Sequence, residues 1–456
     1  MNNNKKIKYG VFGLGISGIA TLHFLKEKKE KFIAWDDNLS NRENIKTQGF
    51  EDCLIQLNNP IWKEIIILVL SPGVPLYFPK PHPVVSLAEK NNIEIICDIE
   101  LFYRTFRDNI YIGVTGTNGK STTVALIFHI LNHNKIPCQL GGNIGKPILK
   151  CTPSKNDIII IEVSSFQIDL LKDTKFDVAV LLNISKDHLD RHGNMENYIS
   201  TKYKIFSNQQ KNDTAIISVD DVNTEMLSTK LEKDSSANLI KISTKKINNG
   251  VSVLNNTLYR KDIKIRELDL PTSLQGQHNQ ENIAAAYAAT YSSTNLSDKE
   301  ILDALPTFQG LKHRMEYIGE KHNIKFINDS KATNFESTEK ALKTFEKIYW
   351  IAGGIAKDGG IDGILHFKNK LSHVFLIGSS QENFSETLKA FSIPYSTSNS
   401  LENAFTQALE LAKKDTSKNK TILLSPAASS LDQWKNFEER GDYFTKLTHS
   451  FINDTK

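Results

Sequence analysis

The run Thr115-Gly116-Thr117-Asn118-Gly119-Lys120-Ser121-Thr122 has the residue types of a phosphate cradle. It follows the apolar segment Tyr111-Ile112-Gly113-Val114 and precedes a stretch whose Val124, Ile127 and Leu131 share one helical face. A strand, a glycine-rich turn and a helix N-terminus present backbone N–H groups and a positive dipole end to an anion. Lys120 is then predicted to reach the outer phosphates of a nucleoside triphosphate, and Ser121 to hold Mg²⁺. The strict G-x-x-x-x-G-K-[ST] spacing asks for glycine at 114, where Val114 stands; the glycines fall at 113, 116 and 119.

Other polar clusters end apolar runs. Gly13-Leu14-Gly15-Ile16-Ser17-Gly18 fits G-x-G-x-x-G, with Asp36 at the end of the next strand-like segment. It is predicted to hold a nucleotide diphosphate, and nothing local separates NAD from another such nucleotide. Ser71-Pro72-Gly73 closes the run Ile65 to Leu70, and Glu162 closes Ile158 to Ile161. A strand-end carboxylate beside a phosphate loop suits Mg²⁺, and an ordinary ion pair is the alternative. Between Asn183 and His192, two histidines, two aspartates and an arginine lie within six positions, which predicts a site. By residue type alone Lys202, in Tyr198-Ile199-Ser200-Thr201-Lys202, reads as a solvated helix lysine. Asn279 and Asn282 could pair with an adenine edge or cap the helix they precede. Arg314 and the run Asn328-Asp329-Ser330-Lys331-Ala332-Thr333-Asn334 could neutralise charge on a transferred phosphoryl group. The run Ser425 to Gln433 offers small residues at a strand end.

Positioning these groups requires a particular architecture. Apolar runs of four to six residues alternate with helical patterns along the chain, as in buried parallel strands, so an α/β fold with right-handed crossovers is predicted. The alternation falls into three blocks, to about 98, then around the phosphate loop, then from about 306. Between about 239 and 270 it gives way to short segments around Asn249-Gly250 and Asn255-Asn256, read as antiparallel hairpins. The 456 residues exceed one ordinary core. A net charge of +4 gives no basis for a nucleic-acid or membrane surface. Four scattered cysteines without a C-x-x-C pair read as reduced thiols in the cytoplasm. No apolar run approaches a membrane span.

In this order, from Gly13 to Phe437, these runs resemble the Mur ligases of peptidoglycan synthesis, whose phosphate loop also lacks the first glycine. The Asp329 to Asn334 and Ser425 to Gln433 runs resemble those members that add D-glutamate. The resemblance implies three α/β domains: a Rossmann-like UDP-substrate domain over 1–98, a P-loop ATPase-like domain over 99–307 and a Rossmann-like amino-acid domain over 308–456. It implies a cytoplasmic monomer that uses ATP and Mg²⁺ to join D-glutamate to UDP-N-acetylmuramoyl-L-alanine through an acyl phosphate, with neither nucleic acid nor membrane insertion. By the same resemblance Ser17, Asp36, Ser71, Gly73, Asn143 and Gln167 face the UDP-substrate. Residues Gly116, Thr117, Asn118, Gly119, Lys120, Ser121, Thr122, Asn279, Asn282, Arg314 and Asp329 face ATP. Lys331, Thr333, Lys357, Ser430, Leu431 and Phe437 surround D-glutamate. Lys120, Glu162, His188 and Lys202 are implied to be catalytic, and Ser121, Glu162, His188 and a carbamate on Lys202 to hold metal. Asn38 stands where an arginine is sometimes found. The competing readings are a folylpolyglutamate-synthase-like ligase, an NAD-dependent oxidoreductase fused to an NTPase, and a nucleotide switch.

Overall fold

The computed structural model describes residues 7–356 and 359–454. They gather into two compact units: residues up to Leu268 with Gln280–Leu305, and Asp269–Asn279 with the chain from Pro306 onward.

The first unit holds two sheets. One has four parallel strands in the order Phe32–Trp35, Tyr9–Phe12, Ile67–Leu70, Glu94–Ile96. The chain order reverses between Tyr9–Phe12 and Ile67–Leu70, and ligands of open α/β sheets bind at such reversals. The turns after those two strands are Gly13–Gly18 and Ser71–Gly73. Gly18 permits their tight packing, since a Cβ there would lie 1.9 Å from the Gly13 carbonyl oxygen.

The other sheet has nine strands. Their order is Ile263–Glu267, Thr257–Arg260, Val251–Leu254, Asn238–Ser243, Thr214–Ser218, Val178–Leu181, Ile110–Thr115, Ile158–Glu162, Cys138–Gly142. Pairing is parallel from Val251–Leu254 to Cys138–Gly142 and antiparallel at the opposite edge. Every residue of Ile158–Glu162 and Val178–Leu181 is buried, which is why these strands read as unbroken apolar runs rather than alternating ones. The hairpin expected at Asn255-Asn256 is present. That at Asn249-Gly250 is not: Asn238–Ser243 pairs in parallel with Val251–Leu254. Gly250 backs so closely onto the Lys241 carbonyl that a Cβ would lie 2.2 Å from its oxygen, so this glycine serves a close approach rather than a reversing turn.

The second unit has a six-stranded sheet in the order Glu316–Lys321, Ile324–Asn328, Lys420–Leu424, Ile348–Gly353, Leu371–Ile377, Tyr395–Asn399, antiparallel only at the first pair. A two-stranded ribbon joins Ile355–Ala356 to Ala428–Ser429. Among the described residues no helix is long and apolar enough to cross a membrane.

Glu100, fully buried in the helix Asp98–Thr105, ties that helix to the segment before Val178–Leu181. Its carboxylate accepts the N–H groups of Lys172, Asp173 and Thr174, the Thr174 hydroxyl and the Arg104 guanidinium. Burial opposes its ionisation, but these donors outweigh burial and hold the carboxyl below the ordinary glutamate range. A depressed carboxyl contributes stability above its unfolded-state pKa, and that contribution is lost as pH falls through the folded-state value. Glu100→Gln is therefore expected to lower unfolding free energy at neutral pH by roughly 1–3 kcal/mol and to flatten the acid limb of stability against pH. Urea unfolding from neutral pH to below pH 4 tests both, and an unchanged acid limb would refute the assignment.

Candidate active site

The phosphate loop leaves the interior strand Ile110–Thr115 at its carboxyl end and enters the helix Lys120–His133. Val114 is buried inside the strand, so the missing glycine costs the loop nothing. Gly119 takes a left-handed φ of +84°, and a Cβ there would lie 2.3 Å from Asn282 Oδ1. Neighbouring strand ends hold the loop. Thr117 N–H donates to the Asn183 carbonyl and Asn118 N–H to Asn183 Oδ1, each at 2.8 Å. Asn183 in turn donates to Glu281 Oε2 at 2.8 Å. Burial pushes the Glu281 carboxyl up to about 7, against the hydrogen bonds from Ser218 and Asn183. The Thr123 hydroxyl reaches Asn282 Oδ1 at 3.2 Å.

Lys120 folds back over the loop, its Nζ 2.8 Å from both the Gly116 and Thr117 carbonyl oxygens. The Ser121 hydroxyl donates to Glu162 Oε2 at 2.8 Å, across the adjacent strand. Lys202 is not solvated, as residue type had suggested. It is 1% exposed, with Nζ 2.9 Å from the Gly116 oxygen and 4.7 Å from the Tyr198 ring centroid. The last turn of the helix Met195–Tyr203 packs inward, and the sequence carries no local sign of it. Burial first, then the Lys120 charge, hold the Lys202 amine well below the usual lysine range, with Asp187 opposing.

A cavity of about 230 Å³ opens against this cluster. Lys120, Asn143, His188 and Lys202 line it, with Ser164–Phe166, Tyr198 and the Pro72-Gly73 turn. His188 adopts a left-handed φ of +52° at the start of the short helix Leu189–His192, and its ring lies 5.0 Å from that of Phe166.

Four further residues expected to face substrate lie in this unit. Ser17 Oγ is 3.3 Å from Ser71 Oγ, and Ser71 donates to the Gly13 carbonyl at 3.0 Å. Asp36 accepts Leu14 N–H at 2.6 Å, Asn38 N–H at 2.7 Å and the Asn41 amide at 3.0 Å, so its carboxylate pins the glycine turn. Asn38, in place of an arginine, caps the helix Leu39–Thr47. Gln167 is buried and engaged by the chain itself: it completes a capping box with Ser164 and donates to Asp98 at 3.2 Å.

In the second unit Asp329 is the centre. It is buried, accepts Met315 N–H at 3.1 Å and the Ser425 hydroxyl at 2.7 Å, and burial pushes it up to about 6. Arg314 precedes Met315, and its Nε is buried with no hydrogen-bond partner among the described residues. Asn279 donates to the Gln275 carbonyl at 3.0 Å. Lys331 Nζ lies 5.5 Å from the Phe437 ring centroid, and Thr333 N–H turns back to the Lys331 carbonyl. Ser430 is buried and Leu431 is exposed. Arg440, 1% exposed, donates to the Ser330 hydroxyl and to the carbonyls of Ser330, Ala428 and Gly353, joining three loops. Lys357 lies outside the described residues.

Among the described residues no group of three or more His, Cys, Asp or Glu side chains could hold a metal ion. The Ser121 hydroxyl and Glu162 carboxylate are nonetheless hard oxygen donors side by side. They suit Mg²⁺, which keeps waters and takes phosphate oxygens for much of its shell.

The cluster from Asn183 to His192 marked Asn183 and Arg191 as part of a site without giving either a role, and Tyr198, Glu281 and Arg440 carried no sequence signal. Their roles depend on contacts between distant segments.

Comparison with known proteins accords with this geometry. Residues 7–97 match the Mur ligase MurD-like N-terminal domain, 114–290 the Mur ligase middle domain, and 313–428 the Mur ligase glutamate ligase domain. The UDP-N-acetylmuramoylalanine--D-glutamate ligase of Rickettsia prowazekii is 44% identical over 449 residues, covering 98% of this chain and 99% of the relative. That of Nitrobacter hamburgensis is 40% identical, covering 96% of each. The crystal structure of the UDP-N-acetylmuramate-alanine ligase MurC of Thermotoga maritima shares the fold, with a TM-score of 0.60, 19% identity and coverage of 98% of this chain and 100% of that one. With its phosphate loop, sheet order and three matched regions, the chain belongs to the Mur ligase family.

Proposed function

We propose that this protein is an ATP-dependent amide ligase that joins D-glutamate to the L-alanine carboxylate of UDP-N-acetylmuramoyl-L-alanine, in the cytoplasm and as a monomer. The observation that carries the reading is the convergence of Lys120, His188, Lys202 and the Pro72-Gly73 turn on one cavity, with the Ser121–Glu162 pair at the start of the helix that Lys120 opens. A phosphate loop and a turn expected to hold a nucleotide-sugar open onto the same space. The names of the full-length relatives supply the substrates. In this reading 1–98 holds the UDP end, 99–307 the ATP and 308–456 the amino acid.

A carboxylate is a poor acyl donor because its leaving group would be oxide. Transfer of the γ-phosphoryl group from ATP to a carboxylate oxygen gives an acyl phosphate and ADP. The D-glutamate amine then attacks the carbonyl carbon, loses a proton, and phosphate leaves as the amide forms. Two polyanions must approach, so the loop N–H groups and Lys120 offset their repulsion. Lys120 would exchange the Gly116 and Thr117 carbonyls for phosphate oxygens. Bound Mg²⁺ would neutralise phosphate charge, held by Ser121 and Glu162, with His188 at the cavity wall as a further ligand. Asn282 and Asn279 serve the nucleotide, with Arg314 and Asp329. Lys331, Thr333, Ser430, Leu431 and Phe437 serve D-glutamate, as does Lys357.

Lys202 enters as its carbamate. A neutral amine is the form that adds CO₂, and burial beside Lys120 favours that form. The new N–C bond releases one amine proton to water, and the product carries a single negative charge shared by two oxygens, suited to Mg²⁺.

The direct test is ADP release from ATP, Mg²⁺ and UDP-N-acetylmuramoyl-L-alanine, with D-glutamate set against L-glutamate, lysine and diaminopimelate. Release dependent on D-glutamate alone is expected, and no ADP with any amino acid would end the proposal. Lys120→Ala should cut turnover by about 10²–10³-fold or more while UDP-sugar binding persists; full turnover would remove the loop from catalysis. Lys202→Ala should be almost inactive and partly restored by a small added carboxylate. Equilibration with ¹³CO₂ should give a carbamate carbonyl resonance that this variant lacks. An active, unassisted variant would dismiss the carbamate.

A further inference from the structure

Arg191 has no part in the phosphoryl-transfer scheme, yet its contacts are specific. It lies on the short helix Leu189–His192, three positions after His188. Its guanidinium donates to the carbonyls of Pro72 at 3.3 Å, Gly73 at 3.1 Å and Val74 at 3.0 Å. The opposite wall is the Phe166 ring, whose centroid is 4.7 Å from the guanidinium carbon. Segments that follow three different strands, Ile67–Leu70, Ile158–Glu162 and Val178–Leu181, thus meet on one side chain. The acceptors are neutral oxygens. Burial draws the guanidinium below the usual arginine range, with Asp190 opposing. A charge placed at such expense against three consecutive carbonyls sets the orientation of their peptide planes.

That orientation has a consequence on the far side of the turn. The Pro72–Gly73 peptide is trans, so its N–H points away from the carbonyl that Arg191 holds. Pro72 has no N–H, and Val74 N–H returns to the Ser71 carbonyl at 3.0 Å. Gly73 N–H has no acceptor among the described residues. Gly73 lines the cavity, and a Cβ there would meet nothing within 4 Å, so the turn is uncrowded where it borders that space. A cation on the carbonyl end of a peptide also strengthens the donor at its other end.

We propose that Arg191 is a positioning residue for the nucleotide-sugar. It locks and polarises the Ser71–Val74 turn so that Gly73 N–H donates to an anionic diphosphate oxygen. This inference rests on the ligase reading for its ligand, though its geometry belongs to the turn alone. Lysine cannot replace the arginine, because one ammonium does not span three carbonyls as a planar fork does.

Arg191→Ala in the full chain tests it. The KM for UDP-N-acetylmuramoyl-L-alanine should rise about tenfold to a hundredfold, while the KM for ATP and the urea midpoint change little. Added methylguanidinium should lower the raised KM, and Arg191→Lys should keep it raised. An unchanged KM for the nucleotide-sugar overturns the proposal. So does a parallel rise in both KM values without methylguanidinium rescue, the signature of general loosening. If Arg191→Ala does not fold, Arg191→Lys, which keeps the charge and stem, carries the same comparison. Titration with UDP alone separates this inference from the ligase reading. A wild-type chain that releases no ADP, with UDP binding that weakens in Arg191→Ala, would sink the ligase reading and sustain the turn. Equal UDP affinity in the two chains would sink the turn.

Discussion

Two lysine ammonium groups converge on one backbone oxygen. Lys120 and Lys202 both place Nζ within 2.9 Å of the Gly116 carbonyl. Like charges so close, with one of them sealed from water, cannot both be comfortably ionised. The structure therefore contains a local excess of positive charge that calls for an anion, or for loss of one of the charges. A triphosphate answers the first requirement. Loss of the Lys202 proton answers the second, in line with the lowered proton affinity that burial and Lys120 give this amine.

The surrounding architecture keeps that contact in place. The loop is the outlet of an interior strand, third from one edge of the nine, and the strands on either side deliver Glu162 and Asn183 at their own carboxyl ends. Asn183 fastens two successive loop amides, and Asn282 leaves room at Gly119 for no side chain. These are fixed dipoles, held by hydrogen bonds within the chain, which is the condition under which electrostatic stabilisation is effective. The four-stranded sheet supplies the remaining wall through the turn after Ile67–Leu70.

What the amino-acid sequence disclosed divides along one line. Features made by consecutive residues were legible. The phosphate loop, the glycine turn and the strand-end Glu162 each announce themselves by local spacing, and unbroken apolar runs declared a parallel sheet. Features made by residues far apart were not. Lys202 lies in a polar helix whose composition suggests solvent, and only its packing against the loop 86 positions earlier buries it. Arg191 reaches carbonyls more than 110 positions away, and no pattern records that pairing. The Asn249-Gly250 pair shows the converse. Its chemistry suits a reversing turn, but strand pairing across the sheet prevailed over local preference.

Arg440 carries a further implication. Burial brings it down to about 10, so it remains a cation at neutral pH. It is bonded to neutral oxygens of three loops at once. Dissolved ions cannot enter to shield a charge enclosed in this way, whereas they readily surround a lysine on the surface. The loops at Ser330 and Ala428 thus lie against a positive charge that salt screens less than it would a surface lysine. A carboxylate brought to those loops would lose less of this attraction to added salt than it would beside a lysine in open water.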